Sequence, residues 1–219
     1  MKPLVLNNLS YGMYAIGVKD GKKPSACIVN TVMQIASSQP PLCTVSMNRS
    51  NYSGRCIDKS GIFTISVLSE STPGTVIGAL GFNSGEKIRK LDNIRHKVLI
   101  EGVPVIKENT CCWFLCKVID KVETGTQVLY VAEITAGSDE SIGTPMTYQY
   151  YRSVLKGSSP KNSPTYLPPE LTFDKSSGES FVCSVCGYVY SDQSFSFEEL
   201  PADWLCPVCK MPKNVFVRR

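Results

Sequence analysis

Ten cysteines and a single histidine, His96, hold most of this chain's capacity for metal chemistry. Four of the cysteines form two C-x-x-C pairs, Cys183 with Cys186 and Cys206 with Cys209, and nineteen residues lie between the pairs. A C-x-x-C turn delivers two sulfurs to one metal ion, and two such turns make a tetrahedral four-thiolate site. Zinc and iron both suit that site, and the spacing taken alone matches a zinc ribbon. The intervening residues shift the balance. A module of about 40 residues can build little core of its own, yet this one gathers Tyr188, Tyr190, Phe197, Trp204 and Phe216. An apolar shell excludes water from a thiolate-bound metal and tunes its potential, which serves a redox iron more than a structural zinc. From residue 181 onward Lys210, Lys213, Arg218 and Arg219 are balanced by Asp192, Glu198, Glu199 and Asp203. That leaves no basic face for a nucleic acid.

"CSVCGYVY" followed by "LPADWLCPVCK" resembles rubredoxin. The resemblance implies an Fe(Cys)4 centre that carries one electron, with Cys183, Cys186, Cys206 and Cys209 as ligands. Two departures stand out. The spacer is shorter than in free-standing rubredoxins, and Lys210 sits where a glycine usually follows the second cysteine turn. If that position requires a positive φ, the lysine costs about 1 kcal/mol or more. The shorter loop is expected to leave one side of the metal more exposed.

Other stretches carry weaker signals. The chain lacks G-x-G-x-x-G after a strand and lacks a P-loop, so a cofactor must be held by another device. "SMNRSNYSGRC" places Arg49, Ser50, Asn51 and Ser53 at the start of a candidate helix, where free N–H groups, hydroxyls and a cation attract an anion. Ordinary helix capping explains the same residues. In "NTVMQIASSQPPL", Asn30 and Gln34 share a strand face by the period of two, as a ligand contact or as solvated edge amides. In "FNSGEKIRKL", Lys90 reads as a phosphate contact or as part of a solvated helix face.

These residues must be positioned by a mostly β chain. Residues 1–155 hold runs of β-branched and apolar residues with turn signals at Asp20-Gly21 and near Thr124-Gly125. No βαβ alternation appears, which points to a closed antiparallel barrel. Short helices fit 51–61, capped by Asn51, and 74–82. Residues 156–180 are rich in Pro and Ser and read as a semi-rigid arm, with the cysteine module at 181–219. Of the remaining thiols, Cys27, Cys43, Cys56, Cys111, Cys112 and Cys116 read as small buried hydrophobes. Alternation puts Cys112 and Cys116 on one strand face and Cys111 on the other. Trp113 and Phe114 read as core or interface, and His96 as a surface strand residue.

Taken together and in order, "YGMYAIGV", "NTVMQIASSQPP", "SMNRSNYS", "SGIFTISVLSE", "FNSGEKIRKL" and "PMTYQYY" resemble the flavin reductase-like family, the FMN-binding split barrels. The resemblance implies a six-stranded Greek-key barrel that forms a homodimer, with FMN near the dimer interface. It implies that Asn30, Thr31, Val32, Met33 and Gln34 run along the flavin ring, mainly through backbone groups, and that Ser46, Met47, Asn48 and Arg49 continue that wall. Asn51, Ser53 and Lys90 would serve the phosphate. "KNSPTY" resembles a tail that folds back over the flavin, where Tyr166 either stacks or is an ordinary linker residue. Gln127 departs from the Asp-His of many relatives.

The net charge is +4, with 42% hydrophobic and 19% charged residues. That composition builds a globular core and argues for neither nucleic acid nor membrane as partner. The start "MKPLVLNNLSYG" is too short in apolar residues for a signal peptide, so the expected setting is cytoplasmic and reducing, such as an anaerobe's cytosol. The two halves agree chemically. NADH or NADPH gives two electrons as hydride, an iron centre takes one, and a flavin converts between them. The expected activity is an NAD(P)H-dependent oxidoreductase that passes electrons to a protein acceptor, with no catalytic side chain assigned. The rubredoxin resemblance points to a diiron–flavin oxygen or nitric oxide reductase as that acceptor. The rival readings are a flavin reductase with a zinc-bound appendage, a pure electron carrier, and a zinc-ribbon binding protein.

Overall fold

The computed structural model describes residues 3–155, 157–167, 181–183, 188–190, 195–208 and 210–218. Strands β1 (Tyr14–Asp20) and β2 (Lys23–Val29) form the first hairpin, turning at Gly21, whose φ of 59° suits glycine. Strands β3 (Val32–Ala36) and β4 (Leu42–Asn48) pair next. Helix α1 (Tyr52–Ser60) then crosses to β5 (Ile62–Leu68), which pairs with β1. Helix α2 (Gly74–Gly81) and the short pair β6 (His96–Val98) and β7 (Pro104–Ile106) precede the long hairpin of β8 (Thr110–Thr124) and β9 (Gln127–Gly137). Helix α3 (Tyr148–Ser153) follows.

The main sheet is antiparallel, in the order β2-β1-β5-β8-β9-β4-β3. Its two end strands are separated in sequence only by Asn30 and Thr31. Residues 23–36 therefore pair with β1 through their first half and with β4 through their second, which closes the sheet into a barrel. Counted as one bent strand, this segment makes the barrel six-stranded, and the crossing from β4 to β5 is the long connection of a Greek key. The bend corrects one expectation. Asn30 and Gln34 do not share a strand face, because Asn30 occupies the break and is buried while Gln34 lies exposed on β3.

Apolar residues fill both sides of the wall. Ile16, Val45, Phe63 and Tyr130 pack inside the barrel, while Ala15, Leu68, Ile77, Leu80 and Tyr151 pack between the sheet and helices α2 and α3. Each fully buried Val, Leu, Ile or Phe among them contributes about 1.5–3 kcal/mol. Helix α1 begins where the sequence places it. The Asn51 side chain accepts from the Ser53 N–H at 2.9 Å, and Gly61 ends the helix at φ 67°. Strand β8 differs from simple alternation. Bulges at the partners of Val67/Leu68 and at Leu115/Cys116 reset its period, so Cys111 and Cys116 are both buried and Cys112 is half-buried.

The arm does not leave the barrel at once. The Gly157 N–H donates to the Tyr151 carbonyl at 3.0 Å, and Tyr148 Oη and Ser159 Oγ lie 2.6 Å apart. Residues 168–180 of the expected arm lie outside the described residues. In the cysteine module, β10 (Phe181–Cys183) pairs with β11 (Phe216–Arg218) around the aromatic cluster. Phe181 stacks on Phe197 at 4.2 Å between centroids, and Trp204 meets Phe216 edge-on at 5.3 Å.

Candidate functional site

A cavity of about 260 Å³ opens at the break between β2 and β3. Its polar wall comes from the end of β4 and the start of α1. Asn48 Oδ1 accepts from the Ser50 N–H at 2.9 Å and from Ser50 Oγ at 2.7 Å, and the Asn51 N–H donates to the Asn48 carbonyl at 2.9 Å. These bonds fix the backbone of the turn 48–53 at the cavity wall. Two bonds between Thr31 and Ser46, each 3.1 Å, pin the strand break to this wall. Asn30, in that break, donates from Nδ2 to Thr165 Oγ1 at 2.6 Å and so ties the arm to the cavity wall.

The cation of the site is Lys90. Its Nζ is buried and donates to the Ala26 carbonyl at 2.9 Å and to the Leu80 carbonyl at 2.5 Å. Leu80 lies in the last turn of α2, where a helix favours positive charge. Burial holds the Lys90 ammonium below the usual lysine range, with the neighbouring Cys27 acting the other way. Burial likewise pushes the Cys27 thiol up, offset by Lys90, Ser53 and Asn51. Met13, Ile77, Leu80, Tyr148 and Tyr151 add apolar and aromatic side chains to the same lining.

Asn30, Ser46, Met47, Asn48, Asn51, Ser53 and Lys90 are therefore brought together around one cavity. Thr31, Val32, Met33, Gln34, Arg49 and Tyr166 are not among the residues lining it. The side chains of Met33 and Gln34 are exposed on β3, and Arg49 pairs with Glu123 at 2.9 Å on the surface. The Tyr166 N–H closes a turn onto the Ser163 carbonyl, while Asn162, Ser163 and Pro164 reach the cavity. Gln127 approaches the same strap, with Nε2 3.5 Å from the Asn162 carbonyl.

Sequence reasoning missed the contributions of α3 and of residues 82–85. Thr147 caps α3 by accepting from the Tyr150 N–H at 3.0 Å, and a hydroxyl before "YQYY" is a helix-start signal that was readable. The 82–85 loop comes close because Gly85 has no side chain. A Cβ there would lie 2.2 Å from Ser25 Oγ and 3.1 Å from the Tyr52 ring.

The residues present fit a flavin nucleotide. A buried ammonium, the hydroxyls of Ser53 and Ser84, and side-chain amides suit a phosphate and its polyol tail, while the apolar and aromatic residues of the lining suit a flat ring system. In the cysteine module Cys183 and Cys206 are about 1% and 0% exposed and pack with Phe197, Val208 and Phe216. Two buried thiols in an aromatic shell fit a thiolate-bound iron. Cys186 and Cys209 lie outside the described residues. Lys210 has a φ of 56°, so the position does demand the left-handed conformation, at a cost of about 1–2 kcal/mol. Its N–H donates to the Cys206 carbonyl at 2.9 Å, closing the turn.

Comparison with known proteins agrees with both halves. The model of the flavin reductase like domain matches residues 6–157, and the rubredoxin model matches residues 180–216. The high molecular weight rubredoxin of Moorella thermoacetica is 32% identical across 99% of this chain and 99% of its own. The ferric-chelate reductase (NAD(P)H) of Archaeoglobus fulgidus is 29% identical across 73% of this chain and 94% of its own. The solved flavoredoxin of Methanosarcina acetivorans covers 64% of this chain and 77% of its own at 24% identity, with a TM-score of 0.55, a likeness of fold. Among the described residues no helix is long and apolar enough to cross a membrane.

Proposed function

This chain belongs to the flavin reductase-like family and carries a rubredoxin domain behind it, and from that premise we propose that it takes hydride from NADH or NADPH onto FMN and passes single electrons through an Fe(Cys)4 centre to a redox protein. It is an oxidoreductase of the flavin- and iron-binding kind. The observation that carries the finer reading is the pairing, in one chain, of a cavity holding a buried cation with a thiol site sunk in aromatics.

Bound flavin supplies the change from two-electron to one-electron chemistry. The chain's own residues bind and orient. Lys90 would hold a phosphate by charge, with the Ser53 hydroxyl and the side-chain amides of Asn48 and Asn51 as further donors. The apolar wall of Met13, Ile77 and Tyr148 excludes water from the ring, and the strap tied by Asn30 and Thr165 forms part of the cavity wall. Hydride transfer depends on stacking and distance, so no side chain is required as acid or base. In the metal module Cys183, Cys186, Cys206 and Cys209 would hold the iron, and the aromatic cluster limits water around it. Two relatives are named a rubredoxin of high molecular weight and an NAD(P)H-dependent reductase, which accords with this division of labour.

The acceptor we favour is a diiron–flavin oxygen or nitric oxide reductase, in the cytoplasm of an anaerobe, with the chain acting as a homodimer. The exposed apolar side chains of Met33 and Ile35 on β3 accord with a partner surface beside the cavity. Absorbance of the purified protein tests the reading. Flavin and iron–thiolate bands are both expected, and NADH or NADPH bleaches both without air. A colourless module with zinc refutes the iron and favours a flavin reductase with a structural appendage. Cys206→Ser is expected to leave nicotinamide-dependent flavin bleaching at its normal rate and to abolish transfer to a protein acceptor.

A further inference from the structure

The cysteine module is seated against the barrel at helix α2. Pro207 and Val208, inside the second C-x-x-C turn, lie on Gly74, the first residue of that helix. A Cβ on Gly74 would stand 3.0 Å from the Pro207 carbonyl oxygen, 3.1 Å from that of Val208 and 3.2 Å from Val208 Cα. Side chains rarely tolerate such approach to backbone, so the seat fits a glycine. At the other end of α2, Phe82 packs against the buried cluster of Cys183, Phe197, Cys206, Val208 and Phe216. The same Phe82 lines the cofactor cavity. One side chain thus touches both the wall of the cavity and the shell around the thiols. Val208 is only 4% exposed although it belongs to a module with a small core of its own.

We propose that α2 is an internal docking platform: Gly74 seats the second cysteine turn, and Phe82 is the positioning residue that fixes the metal module at the wall of the cofactor cavity. The arm then delivers the module to one place rather than letting it range freely. Its role in electron transfer rests on the relay proposed above, in which one electron leaves the reduced flavin for each ferric ion that becomes ferrous. The seat itself stands on contacts and can be tested apart from the relay.

The test uses the full-length protein loaded with flavin and iron, comparing Gly74→Glu and Gly74→Ala with the wild type. Gly74 is not among the cavity-lining residues, so flavin content and nicotinamide-dependent flavin bleaching are expected to stay unchanged. Amide hydrogen exchange read by mass spectrometry is expected to rise about tenfold in peptides spanning 74–82 and 205–208 of Gly74→Glu, and less in Gly74→Ala. Bleaching of the iron band after the flavin slows in the same order. Gly74→Ala guards against misfolding, because it adds one methyl group and no charge at the start of the helix, so lost protection there reports the seat. Wild-type exchange at both segments in both variants overturns the docking. A wild-type iron band that never bleaches sinks the relay instead, while the exchange comparison still decides the seat.

Discussion

Lys90 is where burial and charge meet. Burial holds its ammonium below the usual lysine range. In the flavin-free protein the charged form therefore works against folding, and that cost fades as pH rises through the lowered value. A bound phosphate pulls the other way and favours the ammonium. Flavin affinity is accordingly expected to fall as pH rises past the lowered Lys90 value, and binding there takes up protons. Lys90→Met removes a charge-assisted contact of about 1.5–3 kcal/mol, so FMN affinity should drop about tenfold or more and lose that alkaline limb. Flavin fluorescence titration across pH reads both, and an unchanged profile would remove Lys90 from the phosphate site. From "FNSGEKIRKL" the lysine read as a phosphate contact or a solvated cation, because nothing local says that its side chain turns inward to the carbonyls of Ala26 and Leu80.

Elements decide the shape of the polar wall. Helix α1 starts at the end of β4 because Asn51 caps it, and the same turn supplies cavity donors. Capping and binding, weighed in the sequence as rivals, do not exclude each other in the structure, because the capped turn also lines the cavity. Asn51→Ala is expected to cost about 1 kcal/mol of stability and to weaken FMN binding as well, measured by denaturant melts with and without flavin. A change in stability alone would leave the residue a cap and nothing more. Both hairpins and the first two helices were legible, since their glycine turns and caps act within a few residues. The bend at Asn30 and Thr31 was not, because a strand that serves both ends of a barrel has no local signature. The bulges of β8 escaped for a similar cause: its register answers to β5 and β9, far away in sequence.

The whole molecule joins two unlike folding units. The barrel has large buried clusters on both sides of its wall, whereas the cysteine module packs chiefly on aromatics around its thiols. Their dependence on ligands should differ accordingly. FMN at about a hundred times its dissociation constant is expected to add about 2.7 kcal/mol to the barrel. Removing iron should unfold the module and leave the barrel transition in place. Scanning calorimetry on flavin-free and iron-free samples reads these as separate shifts. One transition that moves equally with both ligands would mean that docking on α2 welds the halves into a single cooperative unit.

Sequence alone determined the parts: a β-rich domain, a Pro- and Ser-rich arm, four thiols in two turns inside an aromatic setting, and the helix cap at Asn51. All of these rest on composition, turn chemistry and short spacing, which act over a few residues. The tertiary structure decided what those parts share. It closed the barrel through one bent strand, turned Lys90 inward, brought residues 158–164 to the cavity wall, and put Phe82 against both the cavity and the thiol cluster. Each of these depends on contacts between residues tens to more than a hundred positions apart, and the packing of the folded chain creates such contacts without writing them into any local stretch.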